Sequence, residues 1–133
     1  MNVPEVFIEF CLVGEDFDPQ EITAFLGMAP TDSAKKHRVY NTEAQQYSYE
    51  SYWSIEAEKS ETWDVTDHLN LLIKQLAPRK AQIIEIAKRL KAEIKFLICI
   101  SLHGANGPSV YFEPTVLQFF SDIGAACDVD ISR

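Results

Sequence analysis

Two periods run through the hydrophobic positions of this chain. A period of two marks strands and a period near 3.6 marks helices. From Val3 to Val13, Val6, Ile8, Phe10 and Leu12 take one face, while Phe7, Cys11 and Val13 make the other mostly apolar, broken by Glu9. A strand apolar on both sides belongs in the middle of a sheet. Ile94 to Leu102 has the same character, with Ile94, Phe96, Ile98, Ile100 and Leu102 together on one face. Tyr47 to Glu58 alternates in a half-buried pattern: Tyr49, Trp53, Ile55 and Ala57 oppose Glu50, Tyr52, Ser54, Glu56 and Glu58. A weaker strand, Ser33 to Tyr40, precedes it across the polar loop Asn41 to Gln46. Short strands are also expected at Ser109–Phe112 and, through Cys127, Val129 and Ile131, at the end of the chain.

The helical period appears four times. Between Phe17 and Thr31, Asp18 suits the N-cap, Pro19 the first position and Glu21 the third residue after the cap. Ile22, Phe25 and Leu26 supply the buried stripe, and Gly27 with Pro30 supplies the stop. Asp64 or Thr66 opens a second helix with the stripe Leu69, Leu72, Ile73 and Leu76, which Pro78 ends or kinks. Ile83, Ile86, Ala87 and Leu90 mark a third. The fourth, from Phe112-Glu113-Pro114 to Gly124, echoes the first in its order of aromatic, acid, proline and closing glycine. The echo raises an internal βα repeat as a hypothesis.

The resulting order is β-α-β-β-α-α-β-β-α-β. It predicts a single α+β domain over 1–133: a two-layer sandwich whose sheet is mixed or mostly antiparallel, with helices mainly on one face. A ferredoxin-like βαββαβ core followed by one further βαβ piece fits this order.

Composition narrows the function more than the fold. The formal net charge is −8, which opposes binding to a phosphate backbone, so no nucleic-acid partner is expected. Seven of the twelve basic residues fall between Lys74 and Lys95, where a solvated helix face accounts for them. No apolar run approaches the ~20 residues of a membrane span, and Met1-Asn2-Val3-Pro4-Glu5 has no basic n-region. The expectation is a cytoplasmic protein with no membrane partner. Cys11, Cys99 and Cys127 are odd in number, widely spaced and set in apolar stretches, which suits buried reduced thiols.

Candidate chemistry is sparse. The histidines His37, His68 and His103 form no metal-ligand spacing, Gly104 and Gly107 match no phosphate-binding loop, and no nucleophile elbow occurs. Metal, cofactor and catalytic residues are therefore all expected to be none. Cys99 and His103 stand four residues apart along a strand, roughly 13 Å, too far for proton transfer. Cys11 and His103 would need neighbouring strands to bring them together. The densest local feature is aromatic: Tyr40, Tyr47, Tyr49, Tyr52 and Trp53 lie within fourteen positions. Such residues fill binding hot spots, although Tyr49 and Trp53 as core with Tyr40, Tyr47 and Tyr52 as fringe is the simpler reading. Asp128 and Asp130 on the last strand read as edge protection.

Taken together, the opening strand, Phe17-Asp18-Pro19 with Ile22, Leu26-Gly27, Pro30-Thr31, Lys36, Trp53-Ser54-Ile55 and Ile123-Gly124-Ala125 before an acidic strand carry a resemblance. The chain resembles, over nearly its whole length, a bacterial family known as domain of unknown function 4279. The resemblance implies a small bacterial cytoplasmic domain and brings no catalytic residue with it. The function expected is a non-catalytic binding module that neutralises or regulates a partner protein. Lys36, Tyr52, Trp53 and His103 are its candidate binding residues. The alternative is a small-ligand binder or enzyme with a pocket near Lys36, Trp53 and His103. A homo-oligomer joined through sheet edges is the third option.

Overall fold

The computed structural model describes residues 2–133. Its elements are β1 (Glu5–Gly14), α1 (Pro19–Leu26), β2 (Asp32–Asn41), β3 (Gln46–Glu56), β4 (Ser60–Glu61), α2 (Thr66–Leu76), α3 (Lys80–Leu90), β5 (Glu93–Ser101), α4 (Pro114–Ile123) and β6 (Ala126–Ser132). Pro78 marks the end of α2, whose last residue is Leu76. The proline sits in a single 3-10 turn, Ala77–Arg79, which joins α2 to α3. From that turn Arg79 Nε donates to the Leu26 carbonyl at 2.9 Å and so satisfies the C-terminal end of α1.

The strands form one sheet in the order β2-β3-β1-β5-β6, with β4 paired to the start of β1. β1 pairs antiparallel with β3 and β5, β2 pairs antiparallel with β3, and β6 runs parallel to β5. In β1 to β2 the chain passes over β3 through α1, and in β3 to β5 it passes over β1 through α2 and α3. That is the ferredoxin-like βαββαβ arrangement, and α4 with β6 adds the further βαβ piece. The apolar character of β1 on both faces follows from its central place.

One side of the sheet carries the core. Val6, Ile8, Phe10 and Leu12 of β1, Trp53 and Ile55 of β3, and Ile94, Phe96, Ile98 and Ile100 of β5 are buried there under the helix stripes. Those stripes are Ile22 and Leu26, Leu69, Leu72 and Leu76, Ile83 and Ile86, and Val116, Phe119, Phe120 and Ile123. Phe96 is the hub, with Phe10 at 5.3 Å and Phe120 at 4.6 Å between ring centroids. Ile73, expected in the α2 stripe, packs only at its margin.

Two expectations change. Ser109 to Phe112 is not a strand: a lone bridge joins Ser109 to Asp64, and Val110 and Tyr111 are exposed, so nothing rewards an extended pairing. The repeat does not extend to topology either. After α1 the chain skips a strand position to reach the β2 edge, whereas after α4 it takes the position next to β5. What recurs is the proline start, Pro19 and Pro114, and the stop, since Gly27 and Gly124 are both left-handed at φ 67 and 71. No helix among the described residues is long and apolar enough to cross a membrane.

Candidate functional site

With every helix packed on one side, the other side of the sheet is an open face. Side chains alternate along a strand, so the residues between the core positions all project there. They are Phe7, Glu9, Cys11 and Val13 of β1, Glu50, Tyr52, Ser54 and Glu56 of β3, and Glu93, Lys95, Leu97 and Cys99 of β5. The edges add Asp32 and Ala34 from β2 and Asp128 and Asp130 from β6. The register makes this face acidic. Glu9 stands opposite Glu56, Asp32 opposite Ser54, and Asp128 opposite Leu97. A shallow hollow among them is lined by Glu9, Cys11, Asp32, Tyr52, Lys95 and Asp128.

The electrostatics follow from that crowding. Burial pushes the Glu9 carboxyl above its ordinary 4.5, and repulsion from Glu56 and Asp32 adds to the rise. The Cys11 thiol is pushed up to about 12 by burial first and by Glu9 second. Burial leads for Cys99 and Cys127 as well, with Asp130 and Asp128 respectively adding to it. A thiol raised in this way holds its proton and is a poor nucleophile. Tyr52 donates its hydroxyl to Asp32 Oδ2 at 3.0 Å, and its own acidity is weakened by burial and by that bond. His37 meets the Tyr52 ring edge-on at 5.9 Å. Among the described residues no group of His, Cys, Asp and Glu is arranged to hold a metal ion.

The four sequence candidates are dispersed. Tyr52 belongs to the open face. Trp53, its neighbour in sequence, points the opposite way and is fully buried, with Nε1 donating to Thr23 Oγ1 at 3.0 Å and its ring edge-on to Phe10. It has no surface to offer a ligand. Lys36 sits in a bulge of β2 at φ 53, with Nζ 3.3 Å from Asp16 Oδ2. It borders a second hollow with Tyr49, Glu50, Lys91 and Glu93, between the β2–β3 hairpin and the end of α3. His103 is exposed beyond Ser101, at the far end of β5 from Glu93. That strand alone spans about 26 Å. One pocket shared by Lys36, Trp53 and His103 is therefore absent among the described residues. The same register places Cys11 opposite Lys95, remote from His103.

The aromatic hairpin also divides. Tyr40, Tyr47 and Tyr49 are 50%, 59% and 59% exposed, with the Tyr40 and Tyr47 rings in tilted contact at 5.1 Å and Arg38 lying 4.4 Å over the Tyr47 ring. Tyr49 is not core, because the hairpin runs past the edge of the helical layer. No sequence signal singles out Asp32, which accepts from Tyr52, Glu56, which faces Glu9, or Ser51, whose hydroxyl accepts from the Phe17 and Lys36 N–H groups. The polar faces of β3 and β6 are visible singly as alternation, and Glu9 as the one break in the apolar second face of β1. Their convergence depends on strand order, which no local signal encodes.

The chain has no match among curated proteins and none among solved structures. The sequence does match, over residues 4–133, the family described as a domain of unknown function (DUF4279), and the chain belongs to that family.

Proposed function

We propose that this protein is a non-catalytic interaction module of the bacterial cytoplasm, docking a basic partner protein on its open sheet face and thereby neutralising or regulating it. The observation that carries the reading is the face itself. Glu9, Asp32, Glu56 and Asp128 stand on a sheet whose other side is fully occupied, and among the described residues no helix covers them. Half-buried Phe7, Leu97 and Val13 lie between the carboxylates, so the surface offers both charge complementarity and apolar area. A lysine or arginine brought beside Glu9 and Glu56 relieves the repulsion that raises the Glu9 carboxyl. The raised thiols support binding over covalent chemistry. Nucleic acid is a poor occupant, since phosphates would meet carboxylates.

The test is affinity capture from a bacterial lysate with the wild-type chain and with a Glu9→Gln/Asp32→Asn/Glu56→Gln variant. Basic proteins that elute with salt should be captured by the former and lost by the latter, and Tyr52→Ala should weaken them. Equal capture by the triple variant overturns the proposal.

The hollow beside Lys36, Tyr49, Glu50 and Lys91 favours a second reading, a small-ligand binder or an enzyme. A ligand at a hundred times its dissociation constant adds about 2.7 kcal/mol of stability. A thermal-shift screen of metabolites that moves no melting point removes this reading.

A further inference from the structure

The two edges of the sheet are protected unequally. At the β2 edge the pairing with β3 is broken by a bulge between Ala34 and His37, and Lys35, Lys36, His37 and Arg38 follow one another. Bulges and clustered positive charge are the usual devices that keep a free edge from accepting another strand. β6 has neither. It pairs with β5 without interruption from Lys95↔Ala126 to Ser101↔Ser132, and no described strand pairs its other side. Its seven residues include no lysine, proline or glycine. Val129 and Ile131 are 42% and 60% exposed although they share the face that the helices cover elsewhere. Asp128 and Asp130 project to the acidic face.

We infer that the free edge of β6 is a strand-addition site for an extended, basic segment of a partner protein, in which Lys or Arg alternates with apolar residues. Paired side chains of adjacent strands share a face. The cations of such a segment lie beside Asp128 and Asp130, and its apolar side chains lie beside Val129 and Ile131. Main-chain hydrogen bonds supply affinity and the two-sided pattern supplies specificity. The inference rests on the open-face reading and gives the partner a chemical form.

A second copy of the chain fits the edge poorly. Two β6 strands paired antiparallel about Val129 set each Asp128 against Asp130 of the other copy, and pairing about Asp130 or about Asp128 sets that aspartate against its own counterpart. Pairing β6 with β2 of another copy matches charge but has to cross the bulge at Lys36.

The probe is a seven-residue peptide alternating lysine and valine, with two N-methylated versions that each block one set of alternate amides. Binding to the wild-type protein is read by calorimetry and by amide exchange. The expected result is that the parent peptide protects β6 amides and that one N-methylated version binds at least tenfold more weakly while the other does not. An Asp128→Asn/Asp130→Asn variant should lose at least fivefold and most of the salt dependence. If both N-methylated peptides bind like the parent, strand addition is overturned while the acidic-face reading stands. If the parent peptide does not bind, the inference falls as well. Light scattering that shows a dimer of the protein alone, with β6 amides already protected, gives the edge to a second copy and also overturns it. Failure of the open-face reading registers separately, as capture that survives in the Glu9/Asp32/Glu56 variant.

Discussion

Ser51 is fully buried, and its hydroxyl accepts from two backbone N–H groups that belong to different elements. Phe17 N–H, at the entry to α1, and Lys36 N–H, in the β2 bulge, both reach Ser51 Oγ at 3.1 Å. One oxygen therefore holds the bulge, the central hairpin strand and the first helix in a fixed relation. Ser51→Ala leaves both donors without that partner, and an orphaned donor costs about 1–3 kcal/mol. Urea unfolding should show a loss of about 2 kcal/mol or more, as a lower midpoint at unchanged slope. A loss below about 0.5 kcal/mol would mean that water replaces the hydroxyl at no cost. Nothing in the sequence marks this residue. It lies among tyrosines and glutamates in a strand that reads only as half-buried, and its partners are 15 and 34 positions away. Lys36 was visible as part of a basic run, yet its role depends on that unseen serine.

At the level of elements, α1 and α4 share a sequence device but do not use it equally. Asp18 accepts from Gln20 N–H at 3.0 Å and caps α1, while Glu113 makes no side-chain cap to α4. Asp18→Ala should cost about 1 kcal/mol, the usual worth of an N-cap. Glu113→Ala should stay within about 0.5 kcal/mol, as for an exposed site without such a role. Thermal melts of the two variants check this directly, and equal losses would mean that the first turn of α4 depends on Glu113 after all. The helices and their glycine stops were legible because stripe, cap and stop all lie within a dozen residues. Strand existence was legible for β1, β3, β5 and β6 for the same local reason. Strand order was not, since Glu9 meets Glu56 and Cys11 meets Lys95 only through pairings between residues far apart in the sequence. The misread segment at Ser109–Phe112 shows the converse. Its alternation is real, but no neighbouring strand buries it.

Over the whole molecule, the net charge of −8 is spread unevenly, and the open face carries a share of it at a cost to stability. Glu9 is the sharpest instance. Its carboxyl is raised above 4.5 by burial and then by Glu56 and Asp32, so the folded state holds the proton more tightly than the unfolded chain does. The stabilising contribution is complete below the ordinary value near 4.5 and is withdrawn as pH rises through the raised folded value. At neutral pH the ionised group opposes folding. Glu9→Gln should therefore melt higher than wild type at pH 7, and the two should converge as the pH is lowered through 4. Added salt should narrow the gap at pH 7, because it screens the part that comes from Glu56 and Asp32. Indistinguishable melting at pH 7 in low salt would sink the argument. The same substitution should weaken capture of a basic partner. A residue whose neutralisation raises stability and lowers binding is serving the surface rather than the core, and that opposition of signs is what the proposed function requires of Glu9.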